Sequence, residues 1–168
     1  DTEVLLAAIE SWGIKQTLQR CIGMFAFSLW DKKEQTLSLV RDRIGEKPLY
    51  YGWQGKGAKR TFLFGSELKP LRQHPAWQGG VNRDSLANLL RYNYIPAPQT
   101  IHPGVFKLRP GYLLQLKKDA NGNWSEREEC WWSLQEVAQQ ARKNPFTGSR
   151  ADAIDHLDKL LHDAIQGQ

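Results

Sequence analysis

Apolar residues recur with helical spacing at the start of the chain and then with the spacing of β-strands. A helical stripe runs through residues 4–12 and ends at Gly13, and a second short helix is predicted at 14–21. The period then changes from about 3.6 residues to about 2. Two strands, at 24–31 and 35–42, are expected to pair as a hairpin across a polar turn. Because the first strand is apolar on both faces, we expect both faces to be covered.

The middle of the chain repeats the hairpin pattern twice, with two short helices between the hairpins. Asn82 is expected to cap the second of these helices, because Asn is favoured at that position. The same helix is expected to be buried through Leu86, Leu89 and Leu90. The pattern predicts antiparallel sheet with helices on its faces. The predicted elements are the hairpin of 49–53 with 61–65, the helices 66–71 and 82–92, and the hairpin of 112–117 with 123–127.

The character of the chain changes after Trp132. Residues 133–148 are polar and contain too few apolar side chains to pack well, so we expect a linker there. Ser149 then opens an amphipathic helix that has no later element to pack against. We therefore predict one domain at 1–132, the linker at 133–148 and the start of a second domain at 149–168. The chain also begins without Met, directly before a helix, so we expect an internal fragment of a longer protein.

Composition narrows the class of protein without identifying it. The chain has 168 residues, 40% of them hydrophobic, which is enough for one globular core. The net charge of +5 is spread over Lys and Arg residues interrupted by Asp and Glu, so we expect no nucleic-acid partner. No apolar stretch approaches the roughly 20 residues that span a bilayer, so we expect no membrane partner. Two distant cysteines, Cys21 and Cys130, favour a reducing, cytoplasmic setting.

Residue types that carry chemistry are sparse. The four histidines lack the spacing of metal ligands, so we expect no metal site. Cys21 is interpreted as a buried cysteine at a helix end and not as a nucleophile. No glycine pattern typical of a phosphate-binding loop is present. Of the seven tryptophans, Trp12 and Trp30 are expected on core faces, and the pair Trp131 and Trp132 is expected to pack at the domain's end.

Four local sequences carry a resemblance to a known family. The segments GMFAF at 23–27, RDRIGEKPLYY at 41–51 and GSELK at 65–69 are similar, in order and spacing, to the central motifs of class II glutamine amidotransferase domains. YIPAPQTI at 94–101 resembles the glutamine-hydrolysing asparagine synthetases of bacterial type. The resemblance covers nearly the whole chain and is weakest at 133–148.

The resemblance implies a fold and a site. The fold is α+β, part of an N-terminal-nucleophile αββα sandwich, followed by a linker and the first helix of an α/β synthetase domain. The family's nucleophile is a chain-terminal cysteine that would lie before Asp1, so no catalytic residue is expected here. Asp1 matches the aspartate that binds the α-ammonium group of glutamine, with a simple helix cap as the alternative. Met24 matches a position lining the family's ammonia passage, and a plain core position is the alternative.

Further expectations concern conserved-looking polar pairs and the intact protein. Arg41 and Asp42, and likewise Glu67 and Lys69, are interpreted as structural ion pairs or turn residues. The resemblance implies that ammonia released from glutamine attacks an acyl-adenylate made from aspartate with MgATP. The ATP loop, a Ser-Gly-Gly-x-Asp-Ser sequence, would follow Gln168, so no cofactor is expected within these residues. The expected partners are glutamine and that synthetase domain, and a homodimer is left open.

Two other classes remain open at this point. One is another glutamine-dependent amidating ligase that acts on a carboxylate of a polysaccharide or peptide. The other is a non-enzymatic binding module that uses its tryptophans and basic surface on sugars or nucleic acid. The binding module would show clustered, exposed tryptophans. The amidotransferase would bury most of them.

Overall fold

The computed structural model describes residues 2–119 and 121–166. The chain is a mixed α/β protein with antiparallel sheets, and it divides into a larger unit of residues 24–130 and a smaller unit of residues 1–23 and 131–168. The elements in chain order are α1 (Thr2–Arg20), β1 (Ala26–Asp31), β2 (Thr36–Arg41), β3 (Tyr50–Gln54), β4 (Thr61–Gly65), α2 (Leu68–Leu71), α3 (Arg83–Tyr92), β5 (Phe106–Lys107), β6 (Tyr112–Lys118), β7 (Trp124–Cys130), α4 (Leu134–Lys143) and α5 (Arg150–Gln166).

The strands of the larger unit form two antiparallel sheets. One sheet has the order β1-β2-β6-β7 and the other the order β4-β3-β5. The three predicted hairpins are confirmed as β1 with β2, β3 with β4, and β6 with β7. The short strand β5 was not predicted, and it pairs Lys107 with Tyr50 and Phe106 with Tyr51.

One hydrophobic core lies between the two sheets. In the four-stranded sheet Leu39 stands opposite Leu114, and Leu37 stands opposite Leu116. Because side chains alternate along a strand, these four residues share one face. They pack with Tyr51 of the three-stranded sheet. The larger unit is therefore built on face-to-face packing of two sheets, whose burial of apolar surface is the main stabilising contribution.

Several predictions of burial were wrong. β1 is an edge strand, where Trp30 is 42% exposed, so its two faces are not both covered. Trp12 is likewise exposed, and none of the seven tryptophans lies in the buried core, so the expectation that an amidotransferase would bury most of them was wrong. On α3, Leu86, Leu89 and Leu90 are all exposed. An amphipathic pattern identifies the face of a helix that favours a partner, but it does not supply the partner.

Local predictions for α3 and α1 are confirmed. The side chain of Asn82 accepts hydrogen bonds from the backbone N–H groups of Asp84 and Ser85, at 3.0 and 3.2 Å, and so caps α3. In α1 the helical backbone is broken at Gly13, which has φ 76° and ψ 161°. The break separates the two helices that the sequence predicts, because glycine tolerates positive φ at little steric cost.

The C-terminal segments are helical and exposed. α4 forms within the predicted linker, where the side chain of Ser133 accepts a hydrogen bond from the N–H of Glu136. This helix was not predicted, and a polar sequence with a good N-cap accounts for it locally. α5 forms where an amphipathic helix was predicted, and all its described residues are exposed. Within the described residues, no helix is long and apolar enough to cross a membrane.

Candidate functional site

The turn between β2 and β3 is organised by a buried carboxylate. Asp42 is only 1% exposed, and its carboxylate accepts hydrogen bonds from the backbone N–H groups of Gly45, Glu46 and Lys47, at 2.6, 2.9 and 3.0 Å. Gly45 has φ 76°, which a side chain would strain. Three converging N–H donors satisfy a carboxylate that has been removed from water. Asp42 therefore fixes the path of this turn.

Arg41 ties the same turn to a distant part of the chain. Its guanidinium donates to the carbonyl oxygens of Lys47, Gly45 and Leu108, at 2.8, 2.6 and 2.7 Å. Burial lowers the pKa of Arg41, and the nearby charge of Asp42 opposes this change. Five fixed donors in a planar group suit Arg to this bridging role. The predicted turn role of Arg41 and Asp42 is confirmed, since both side chains bind backbone groups.

The segment 94–101, which carries one of the family motifs, is held against β5. The ammonium group of Lys107 donates to the carbonyl of Ile95 at 2.5 Å, and the backbone N–H of Lys107 donates to the carbonyl of Pro98 at 2.8 Å. Burial lowers the pKa of Lys107, and the positive charge of Arg41 adds to this effect. The motif therefore contributes backbone partners that anchor a loop, which the sequence analysis did not identify.

Two residues are predicted to contact substrate or ammonia, and the structure describes one of them, Met24. Asp1 lies outside the described residues, so its contact with glutamine stays a prediction. Met24 precedes β1 and is 46% exposed, so it is not a buried core residue in this structure. Its place on an ammonia passage also stays a prediction. Glu67 occupies the N-cap position of α2, which carries Lys69, and no capping hydrogen bond comes from the Glu67 side chain.

The described residues offer little redox or metal chemistry. Cys21 follows the end of α1 and is half-buried, with its backbone N–H bonded to the carbonyl of Thr17 at 3.0 Å. Among residues 2–119 and 121–166, no group of three or more His, Cys, Asp or Glu side chains is placed to hold a metal ion.

An aromatic groove in the larger unit was missed by the sequence analysis. It is formed by Trp53, Arg60, Asn123, Trp124 and Glu126, which come from β3, β7 and the loops beside them. The tryptophan rings lie 6.3 Å apart between centroids. The two tryptophans are 71 positions apart in sequence, so only the packing of the two sheets reveals that they meet.

Comparison with known proteins gives the class of the chain. Residues 1–132 match the model of the glutamine amidotransferase domain. The match covers most of the chain, and the chain belongs to this family. The turn built by Arg41 and Asp42 lies within the matched region.

The relatives of the chain are mostly named as asparagine synthetases. It is 31% identical to glutamine-hydrolysing asparagine synthetase 3 of Bacillus subtilis, over 100% of this chain and 25% of that protein. It is 30% identical to a putative glutamine-hydrolysing asparagine synthetase 2 of Methanocaldococcus jannaschii, over 99% of this chain and 30% of that protein. An amidase of Gibberella zeae is 28% identical over 80% of this chain and 18% of its own length. The chain thus spans between 18% and 30% of the length of these relatives.

Proposed function

We propose that this chain is the later part of the glutaminase domain of a glutamine-hydrolysing asparagine synthetase, with the lead-in to its synthetase domain. The observation that carries the proposal is the alignment of the full chain with relatives of that name, at 31% and 30% identity. The proposed domain is an N-terminal-nucleophile αββα sandwich. The face-to-face packing of the two antiparallel sheets supports this topology.

In the proposed reaction, water hydrolyses the glutamine amide to glutamate and ammonia at a cysteine outside these residues. Asp1 would hold the α-ammonium group of glutamine, because a carboxylate in a partly dry pocket favours a cationic partner. Met24 would line the route of ammonia, since an apolar wall discourages both water and protonation. The turn fixed by Asp42 and Arg41 would support the pocket without touching the substrate, because both side chains are already bound to backbone groups.

The second half of the proposed reaction needs residues beyond this chain. Aspartate and MgATP would form an aspartyl adenylate with release of pyrophosphate, and attack of ammonia on its acyl carbon would give asparagine and AMP. The 168 residues contain no Ser-Gly-Gly-x-Asp-Ser loop, and the described residues hold no cluster suited to a metal ion. No residue of this chain is therefore assigned to MgATP.

The first test is an activity assay on the purified 168-residue chain. We expect no release of glutamate from glutamine above a blank, because the proposed nucleophile is not among these residues. Glutamate release that disappears in Cys21→Ala would contradict the proposal and make Cys21 the nucleophile. The longer enzyme that carries this segment should form asparagine from aspartate, glutamine and ATP. If no asparagine forms, aspartate is not the acceptor.

A second candidate is an amidating ligase that acts on a different carboxylate. The observation behind it is that a relative with a name other than asparagine synthetase, an amidase, also matches 80% of this chain, so this segment occurs in proteins of differing names. The two candidates share the glutaminase half and differ in the acceptor. The longer enzyme can be offered aspartate together with peptide or polysaccharide carboxylates. The carboxylate that is amidated in this competition shows which of the two candidates is correct.

A further inference from the structure

The aromatic groove has the dimensions of a small-molecule site. It is an open groove of about 440 Å³, and its lining includes Gly57 and Gly122 beside the five residues that define it. Ligand sites in proteins commonly occupy about 300–1,000 Å³. The groove adjoins an apolar depression that includes Leu37, Phe62 and Leu116. It therefore joins a polar opening to an aromatic wall.

The wall is made of two inclined indole rings. Trp53 and Trp124 meet at an interplanar angle of 57°, and Phe62 and Trp53 pack in a T-shaped arrangement with ring centroids 5.2 Å apart. Trp53 also packs against the hydrophobic core, which holds it in place. Trp124 is 41% exposed. Because the guanidinium of Arg60 lies over the ring of Trp53, the exposed ring of Trp124 supplies the π-face for a ligand that enters from solvent.

The polar groups of the groove supply both donors and acceptors. The carboxylate of Glu126 accepts a hydrogen bond from the Nε1–H of Trp53 at 2.5 Å. The guanidinium of Arg60 lies over the ring of Trp53, 4.7 Å from its centroid. The amide of Asn123 is oriented by the carboxylate of Asp119 at 3.3 Å. One guanidinium and one carboxylate line the same groove, so their charges nearly cancel inside it.

This combination selects a class of ligand. A neutral pyranose ring carries C–H groups that stack on an indole, and its hydroxyls both donate and accept hydrogen bonds. A phosphate group would gain from Arg60 and from Lys118, which lies 5.8 Å from the ring of Trp124, but it would meet the carboxylate of Glu126. A cation would be attracted by Glu126 but repelled by Arg60. We propose that the aromatic groove binds a neutral saccharide, independently of glutamine hydrolysis.

The test is a titration of the ¹⁵N-labelled 168-residue chain with glucose, N-acetylglucosamine and maltotriose. The chain has seven tryptophans, whose indole N–H signals report on separate sites. We expect saturable shifts of the Trp53 and Trp124 signals by at least one sugar, with a dissociation constant on the order of 1–10 mM for a ligand this small in an open groove. Trp30 is exposed on β1, outside the groove, and its signal should not move.

Two variants and one matched control make the titration decisive. Trp124→Ala should weaken binding at least about fivefold, because it removes the exposed stacking face. Glu126→Gln keeps both rings and should weaken binding about two- to tenfold by removing a charged acceptor. Trp30→Ala, an equally exposed tryptophan elsewhere, should leave the affinity unchanged. The proposal is overturned if no sugar saturates the signals by about 100 mM, if AMP binds more tightly than the sugars, or if Trp30→Ala weakens binding as much as Trp124→Ala.

Discussion

At the scale of single residues, the turn after β2 depends on one buried charge. The Asp42 carboxylate accepts hydrogen bonds from three backbone N–H groups. The Arg41 guanidinium donates hydrogen bonds to three backbone carbonyls. Asp42 thus satisfies N–H groups of the turn and Arg41 satisfies two of its carbonyls, while the third carbonyl, of Leu108, belongs to a distant part of the chain. Buried polar groups that are fully satisfied favour one local conformation over its alternatives.

Asp42→Asn should destabilise the chain by about 1.5–3 kcal/mol, the range for hydrogen bonds to a charged group. The asparagine oxygen can replace one carboxylate oxygen, but its NH₂ group would face either the N–H of Lys47 or the N–H groups of Gly45 and Glu46. The measurement is urea unfolding at neutral pH. The matched control is Asp31→Asn, since the exposed Asp31 carboxylate also accepts two backbone bonds, from Lys33 and Glu34. Equal losses in both variants would show that burial of Asp42 adds nothing.

Tyr51, a core residue, makes the stability of the chain depend on pH in the alkaline range. Burial, with added effects of Glu128 and Glu126 and an opposing effect of Arg109, raises the pKa of Tyr51 to about 12. An unfolded tyrosine titrates near pH 10. Between about pH 10 and 12 the folded chain keeps a proton that the unfolded chain loses, so stability falls as pH rises through this window.

Tyr51→Phe should therefore make the alkaline loss of stability less steep. The free energy of unfolding of both proteins is measured in urea at intervals from about pH 8 to pH 11.5, across the window set by the two pKa values. The variant should lose less stability above about pH 10 than the parent does. Tyr94→Phe, a change of an exposed ring, serves as the control. Parallel curves for the parent and Tyr51→Phe would rule out Tyr51 as the source of the slope.

At the scale of elements, the close approach of β3 to the loop before β5 requires a glycine. A Cβ atom on Gly52 would lie 2.0 Å from the carbonyl oxygen of Gly104 and 3.0 Å from Cα of Val105. Both atoms belong to backbone, so neither can turn aside as a flexible side chain would. Separating β3 from this loop would also disturb the pairing of Tyr50 with Lys107.

Gly52→Ala should cost about 2–3 kcal/mol, at the upper end of the range for overpacked cores. Gly65→Ala on β4 is the matched control, because its Cβ would make an ordinary contact of 3.4 Å with Cδ2 of Leu71. We expect the control to change stability by less than about 1 kcal/mol. Thermal or urea unfolding measures both variants. If Gly65→Ala is as damaging as Gly52→Ala, the close approach is not what requires the glycine.

The elements also show which kind of information the sequence carries. Hairpins were predicted correctly because a strand period and a polar turn are local signals, as at Asp31, whose carboxylate organises the turn. Burial of α3 was predicted wrongly because its leucines define a preferred face only. The short strand β5 escaped prediction because two residues carry no period, and the pairing with Tyr50 is long-range.

In the candidate site, too, local features could be predicted from the sequence and long-range contacts could not. A turn role for Arg41 and Asp42 could be predicted from the glycine that follows them and from the family motif. Their individual partners, such as the carbonyl of Leu108, required the packed structure. The meeting of Trp53 with Trp124 also had no local signal, because it depends on how two separate sheets pack.

At the scale of the whole molecule, the chain covers 25% of the length of asparagine synthetase 3 of Bacillus subtilis, and we propose that it carries part of one site of a two-site enzyme. In the proposed enzyme, ammonia passes from the glutamine site to the synthetase site. Activity measured with two nitrogen donors, glutamine and free ammonia, therefore distinguishes residues that bind glutamine from residues that stabilise the domain. Loss of a contact with glutamine lowers the activity measured with glutamine and leaves the activity measured with ammonia unchanged. Loss of domain stability affects all activity of the enzyme.

Asp1→Asn in the longer enzyme tests this distinction at the residue proposed to hold glutamine. Loss of a charge-assisted contact typically costs about 1.5–3 kcal/mol, or roughly ten- to a hundredfold in affinity. The α-ammonium group is remote from the scissile amide and is held equally in ground and transition states, so the variant should mainly raise KM for glutamine. Synthesis from ammonium chloride should be nearly unchanged, because free ammonia bypasses the pocket. Steady-state rates with both donors are compared, and equal losses would make Asp1 a helix cap whose removal loosens the domain.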